Sequence, residues 1–259
     1  MDEEHNAGGT LIACDMYEIE NAWILSDKEA IEKLLVNAAV ASGAHVVDVH
    51  TPKYFIGKGG LTSFATVKES ALTIHGYDKE KKAFLDFYTC GGVADPRKGI
   101  KYATNELKPK IVNVTQIKRG NVQNLEIGLI SRKAVEKPFG YTLLIDAYKC
   151  PVKKLDDMDI TYDFLDILPK MFNHESPTIP YVSRTYGIDR AYVGLSGGVD
   201  LPDNGYAHII TAPAKRIVIL DVLSTTKNFD IDAIKKELIR AYKPKDVDDP
   251  QLLLRGVDY

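Results

Sequence analysis

A plan of strand, helix and further strands is written twice along this chain, and that repetition limits the fold more than any single motif does. Thr142-Leu143-Leu144-Ile145-Asp146-Ala147-Tyr148 parallels Leu11-Ile12-Ala13-Cys14-Asp15-Met16-Tyr17, and an offset of 131 lays Asp146 over Asp15 and Tyr148 over Tyr17. Farther on, an offset of 135 lays Leu220 over Leu85, Asp221 over Asp86, Asp230 over Asp95, Pro244 over Pro109 and Lys245 over Lys110. Order and spacing agree over most of both halves, which reads as an internal duplication. A chain of 259 residues suits two modest units. The boundary is expected around Ala134–Pro138, giving units 1–134 and 135–259. The expected class is α+β: two homologous αβ units, each an antiparallel-type sheet with helices on one face. Such a sheet needs cover on its other face, and an αββα sandwich of the two sheets is the simplest solution.

Local signals place the elements. Gly9–Asp15 is a strand candidate. Ser26 is expected to cap a helix starting at Asp27, with Glu29 completing a capping box. Ile31, Leu34, Leu35, Ala38 and Ala39 share one helical face, and Gly43 ends the helix. Val46–Val49, Leu61–Val67, Ala71–His75 and Ala83–Thr89 come next as strands, with a glycine-rich turn at Gly57-Lys58-Gly59-Gly60. A second helix spans Pro96 to Leu107, and strands are expected at Ile111–Thr115 and near Leu125–Ile130. In the second half, Tyr162–Phe172 and Asp232–Tyr242 stand for the two helices. The proline-bearing segment Asn173–Arg190 reads as a mobile loop or an ordered pocket lid.

Charge and cysteine use narrow the function classes. The balance of 33 basic and 36 acidic residues gives −3, against a broad basic face for nucleic acid. No apolar run approaches a membrane span, and the acidic start lacks a secretion-signal pattern. Cys14, Cys90 and Cys150 are odd in number and widely spaced, which suits a reducing cytoplasm.

Some apparent motifs fail. Gly57–Gly60 lacks phosphate-loop spacing. Gly194-Leu195-Ser196-Gly197-Gly198 fits GxSxG, but Val199–Gly205 reads as strand or loop where a nucleophile elbow needs a helix. His5, His45, His50, His174 and His208 have no carboxylate or cysteine at ligand spacing, so no metal site is expected.

The informative stretch is Glu69-Ser70-Ala71-Leu72-Thr73-Ile74-His75, together with Phe87-Tyr88-Thr89-Cys90-Gly91. It sets a hydroxyl, an imidazole and a thiol on neighbouring strands of one sheet. Ser70 and His75 are five residues apart, so they share a face only if Ser70 lies in the turn before the strand.

These residues resemble the S-adenosylmethionine decarboxylase family of pyruvoyl enzymes, over roughly residues 9–120 and more weakly in the second half. Glu69-Ser70, His75 five residues on, Cys90 twenty after the serine, and the Ser42-Gly43-Ala44 turn carry the resemblance. It implies a self-processing proenzyme in which the chain splits between Glu69 and Ser70, leaving a pyruvoyl group derived from Ser70. That group would hold the substrate amine as a Schiff base and draw electrons from the breaking carboxylate bond. His75 would assist processing as a proton shuttle, supported by the Thr62 hydroxyl, and Cys90 would return a proton to the product carbon. The resemblance further implies polyamine (spermidine) biosynthesis, with the chain as a monomer of two repeats or a homodimer.

The chain departs from the family's usual pattern after the cleaved serine and after the next strand, where it reads Ala71 and His75-Gly76-Tyr77-Asp78-Lys79. Phe55 and Tyr77 are then candidates to stack on adenine. Asp78 or Glu80 would serve a cationic substrate such as arginine or ornithine. In the second half Gly205, Ile210 and Thr225 fall over Ser70, His75 and Cys90, so that half cannot make its own pyruvoyl group there. The competing class is an uncleaved, non-catalytic regulatory homologue.

Overall fold

In the computed structural model, residues 9–54, 60–68, 70–90, 94–119, 127–129, 139–172, 178–186, 192–201, 205–226 and 230–256 are described. They fall into two compact units, the first holding Gly9–Arg119 and 127–129, the second running from 139 onward. None of the described helices is long and apolar enough to cross a membrane.

The first unit contains β1 (Gly9–Tyr17), α1 (Lys28–Ser42), β2 (Val46–Tyr54), β3 (Leu61–Val67), β4 (Ser70–Tyr77), β5 (Lys82–Cys90), α2 (Pro96–Leu107), β6 (Ile111–Arg119) and β7 (Ile127–Leu129). Its seven strands are ordered β2-β3-β4-β5-β1-β6-β7, and every pairing is antiparallel. The second unit contains β8 (Gly140–Tyr148), α3 (Val152–Leu155), α4 (Met158–Ile167), β9 (Tyr181–Tyr186), β10 (Tyr192–Asp200), β11 (Tyr206–Ala212), β12 (Ile217–Ser224), α5 (Ile231–Tyr242), β13 (Asp246–Val247) and β14 (Gln251–Arg255). Here the order is β9-β10-β11-β12-β8, with β13 and β14 both along the free side of β8. Reading β8 for β1, β9–β12 for β2–β5, and β13 with β14 for β6, the two sheets have one topology. The repeated residues sit accordingly: Asp15 and Asp146 in the first strands, Asp86 and Asp221 in the fifth.

Each sheet keeps an apolar helix-side face. In the first unit Ile12, Cys14, Leu72, Ile74, Leu85 and Phe87 pack with Leu34, Leu35 and Ala38 of α1 and with Ile100 and Ala103 of α2. In the second, Leu143, Ile145, Ile209, Leu220 and Val222 pack with Leu165 of α4 and Leu238 of α5. The opposite faces are buried too, and they are more polar. Thr62, Thr73, His75, Asp15 and Asp86 lie there in the first unit, and Thr142, Asp146, Ser196, His208 and Asp221 in the second. Strand alternation separates the two sets cleanly.

Several element ends differ from expectation for local reasons. The cap of α1 is Asp27, whose carboxylate accepts from Ala30 N at 2.9 Å, while Ser26 Oγ donates back to Trp23 O. A charged acceptor one residue nearer the helix displaces the hydroxyl, so the expected Ser26 capping box does not form. Gly43 does end α1 in the left-handed region, at φ 86°. α4 starts at Met158, ahead of Tyr162, because Asp157 caps it through Asp159 N and Ile160 N. Within the segment expected as a loop or lid, residues 181–186 form strand β9, paired antiparallel with β10. The expected boundary residues 134–138 lie outside the described residues.

Leu72 is fully buried in β4 and Val40 is exposed on α1. Leu72→Ala should lower unfolding free energy by about 2–5 kcal/mol in chemical denaturation, against roughly 0.5 or less for Val40→Ala.

Candidate active site

The site is set by the β3–β4 hairpin. Val67 and Ser70 face each other across the β3–β4 ladder. Lys68 N donates to His45 O at 3.0 Å, which ties the end of β3 to the entry of β2. Ser70 is therefore the first residue of β4, 4% exposed, with Val67 on one side and Thr89 of β5 on the other. It does not lie in the turn. Alternation then holds along β4 and sets Ser70 in line with Leu72 and Ile74, on the face opposite His75.

His75 lies five residues farther along β4, opposite Thr62 in β3 and Phe84 in β5. The imidazole is fully buried and Thr62 Oγ1 is 2.5 Å from His75 Nδ1. This short contact between two buried groups fixes the ring's plane. Tyr77 continues the same face, edge-on to His75 at 5.3 Å and to Phe84 at 6.2 Å between ring centroids. Lys82 Nζ stands 5.1 Å from the Tyr77 centroid and pairs with Glu80. Tyr77 is thus packed as part of the core, and Asp78 comes next in the β4–β5 turn, where its main-chain oxygen accepts from Lys81 N at 3.2 Å.

The predicted residues divide between two ends of one strand. Ser70 and the Cys90 position share one end, since Ser70 faces Thr89 and Cys90 is the next residue of β5. Thr62, His75, Tyr77 and Asp78 gather toward the other. At about 3.3 Å per residue, His75 is about 16 Å from Ser70 along the strand. Phe55, Glu69 and the Cys90 side chain lie outside the described residues. Among the described residues no cluster of His, Cys, Asp and Glu has the makings of a metal site.

A second hydroxyl–imidazole pair escaped the sequence reading. Ser196 Oγ of β10 is 3.1 Å from His208 Nε2 of β11, both buried on the face away from the helices. These strands correspond to β3 and β4, which carry Thr62 and His75. The pairing is diagonal, since His208 faces Gly198 and Ser196 faces Ile210. A fixed offset therefore does not reveal it; a search for hydroxyl and imidazole on consecutive strands would have. Ser196 sits within β10, which continues through Asp200 where a nucleophile elbow needs a helix.

The profile of the S-adenosylmethionine decarboxylase family matches residues 10–120, the stretch that holds this hairpin. A relative named S-adenosylmethionine decarboxylase proenzyme, from Caldanaerobacter subterraneus subsp. tengcongensis, is 36% identical over 115 residues, covering 44% of this chain and 90% of the relative. One named S-adenosylmethionine decarboxylase proenzyme 2, from Bacillus cereus, is 34% identical over 117 residues, covering 45% of this chain and 93% of the relative. The solved adenosylmethionine decarboxylase of Aquifex aeolicus superposes with 25% identity and a TM-score of 0.41, over 46% of this chain and 95% of that one. The chain belongs to the S-adenosylmethionine decarboxylase family. The residues that the family profile matches lie in the first unit, and the chain covers 90% and 93% of the two named relatives.

Thr62→Val keeps the side chain's shape and strips the oxygen from the buried Nδ1 of His75. It should cost about 1–3 kcal/mol in chemical denaturation, with Thr62→Ser recovering most of it.

Proposed function

We propose that this protein is a self-processing, pyruvoyl-dependent decarboxylase of polyamine biosynthesis, cleaved between Glu69 and Ser70, with S-adenosylmethionine as substrate. The observation that carries the reading is the position of Ser70 as the first residue of β4, paired with Val67 and Thr89, at the strand end next to Cys90. It lies in the stretch matched by relatives named as proenzymes.

The hairpin suits such a cut. Ser70 Oγ attacks the carbonyl carbon of Glu69, and the peptide C–N bond gives way to an ester. Loss of the Ser70 Cα proton then expels Glu69 as a carboxylate and leaves dehydroalanine. Hydrolysis of its imine form releases ammonia and creates the pyruvoyl terminus. A hydroxyl one bond from Cβ is what makes this elimination available. The break falls immediately before the first residue of β4, so β4 stays bonded to β3 and β5, and the two fragments remain one sheet. Once formed, the pyruvoyl group supplies an electrophilic carbonyl that captures the substrate amine and accepts electrons from the breaking carboxylate bond.

Cys90 is assigned the return of a proton to the substrate carbon on the family resemblance alone; its main chain follows Thr89, the residue opposite Ser70. The Thr62–His75 pair, about 16 Å away along β4, does not touch Ser70 within this strand. Its part in processing is open to a direct test by substitution of His75. The second unit is proposed to be a copy that has lost the cleavage site: Gly205, at the position over Ser70, has no hydroxyl, and its main-chain oxygen accepts from Leu201 N at 2.9 Å. Units 1–134 and 135–259 are the proposed repeats, and a cytoplasmic location is part of the same reading.

Intact-mass measurement on freshly purified protein should show fragments of 69 and 190 residues, and Ser70→Ala should yield only the 259-residue chain. Carbon dioxide release should be seen from S-adenosylmethionine in preference to arginine or ornithine. His75→Ala should slow the appearance of fragments; cleavage at the wild-type rate would remove His75 from processing.

A further inference from the structure

Three hydroxyl residues stand in one row of the first sheet, and Ser70 is its buried end. Ser70 faces Thr89 of β5, Thr89 faces Thr10 of β1, and Thr10 faces Lys118 of β6. The row belongs to the helix-side face. Val67, which faces Ser70, lies in the apolar cluster there, as do Leu72, Phe87 and Ile12, each two residues along its strand from a member of the row. Ser70 is 4% and Thr89 3% exposed, Thr10 is half-buried and Lys118 is exposed, so the row runs from the core to solvent. Directly facing residues of an antiparallel pair have Cβ atoms about 4.5–5.5 Å apart, within reach of one hydroxyl for the next.

The other neighbours of Ser70 on this face of the sheet are apolar: Val67 and Ala65 on β3, Leu72 on β4 and Phe87 on β5. The helix ends joined to this edge by the chain have their polar groups engaged. Ser42 Oγ donates to Ala39 O at 2.6 Å, and the Asp95 carboxylate accepts from Arg97 N at 3.1 Å. His75 lies on the opposite face. Within the described sheet, Thr89 is thus the polar side chain beside the nucleophile. Among the described residues the second unit has no such row. Offsets of 131 and 135 lay Tyr141 over Thr10 and Ser224 over Thr89. Tyr141 faces Ser224 and Leu254, and Ser224 Oγ is turned to its own strand end, donating to Thr226 O at 3.0 Å and accepting from Thr226 N at 3.1 Å. The row is complete only in the unit where the cut is proposed.

We propose that Thr89 is a catalytic residue of the self-cleavage, taking the proton of Ser70 Oγ during attack, and that Thr10 is a positioning residue that passes this proton on to solvent. The proposal deepens the reading of Ser70 as the cleaved serine and rests on it. A lone pair of Ser70 Oγ forms the bond to the Glu69 carbonyl carbon, while the O–H electron pair stays on oxygen as the proton leaves. Thr89 Oγ1 accepts that proton and gives its own to Thr10, which gives its own to water. Both threonines end as neutral hydroxyls. When the C–N bond breaks, its electrons go to the nitrogen of Ser70, which takes a proton from solvent, so charge and protons balance over the step. Accepting the Ser70 hydrogen also turns the free lone pairs of Oγ away from Thr89. A buried serine in an otherwise apolar setting needs such a route, because an alkoxide formed there with no path for its proton carries the full cost of an isolated buried charge.

Two readouts test this on the full chain, made by cell-free synthesis with a labelled pulse and followed on denaturing gels. The first is the rate at which fragments appear. Thr89→Val, which keeps the shape, should slow cleavage by about 10- to 100-fold, at the lower edge of what positioned proton transfer contributes. Thr89→Ser restores a hydroxyl and should recover to within about threefold of wild type. Thr10→Val should slow cleavage by about three- to tenfold, and the double valine variant should be no slower than Thr89→Val alone, because Thr10 acts through Thr89. Thr89→Val cleaving at the wild-type rate, or Thr89→Ser no faster than Thr89→Val, overturns the proposal. The second readout is the ester. Hydroxylamine attacks the ester carbonyl, leaves Glu69 as a hydroxamate and frees a fragment that begins with intact serine. Thr89→Val should yield less of this fragment, in step with its slower cleavage, because the defect precedes the ester. Ester that builds up above the wild-type level in Thr89→Val would put the defect at the later elimination and overturn the proposal. Wild-type protein that never cleaves overturns the self-processing reading itself, an outcome distinct from any variant's behaviour.

Discussion

The antiparallel register between β3 and β4 governs everything proposed for this chain. Pairing Val67 with Ser70 puts Ser70 at the start of β4, so the proposed cut before it would leave the strand threaded through the sheet. The same register puts Thr62 opposite His75 and locks the imidazole by a short contact in a buried site. A slip of one residue would turn Thr62 and His75 toward the helices and carry apolar Leu72 and Ile74 to the polar face. The apolar set of Val67, Leu72, Ile74, Leu85 and Phe87 opposes that slip, since these residues bury against α1 and α2. Packing on one face thereby sets the geometry of chemistry on the other.

Duplication adds a comparison inside one chain. Both units keep the same strand order, and both place buried carboxylates on the first and fifth strands, Asp15 with Asp86 and Asp146 with Asp221. Both place a hydroxyl and an imidazole on the third and fourth strands, Thr62 with His75 and Ser196 with His208. The units differ at the strand end, where Ser70 has Gly205 as its counterpart. On the proposed reading, the difference falls at the position of the covalent step, while a buried hydroxyl–imidazole pair is kept on the polar face of both sheets in altered register. A hydrogen-bonded buried pair is costly to lose half of, because the orphaned partner forfeits its compensation.

Much of this is legible in the amino-acid order alone. The repeat offsets, the amphipathic run Ile31-Leu34-Leu35-Ala38-Ala39 and the Gly43 stop are local patterns, and they fall where the elements do. The Glu69-Ser70, His75 and Cys90 spacing points to the family that residues 10–120 match. The hidden part is non-local. Whether Ser70 belongs to the turn or the strand depends on its bonding to Val67 and Thr89, which no window of sequence contains. The Ser196–His208 contact arises from a diagonal pairing of two strands, which no single offset along the sequence reveals. Gly9 and the ring of Tyr88, 79 positions apart in sequence, meet across the β1–β5 ladder, where a Cβ on Gly9 would come within 2.5 Å of Tyr88 Cε2. Local chemistry names the participants here, and register decides which of them meet.

The central claim is that Ser70 is consumed to make the reactive group. The most direct measurement is the mass of the N-terminal peptide of the fragment beginning at residue 70, taken from freshly purified protein. A pyruvoyl terminus in place of serine, absent after Ser70→Ala, is the predicted result. An intact Glu69–Ser70 bond, or a fragment that still begins with serine, would contradict it.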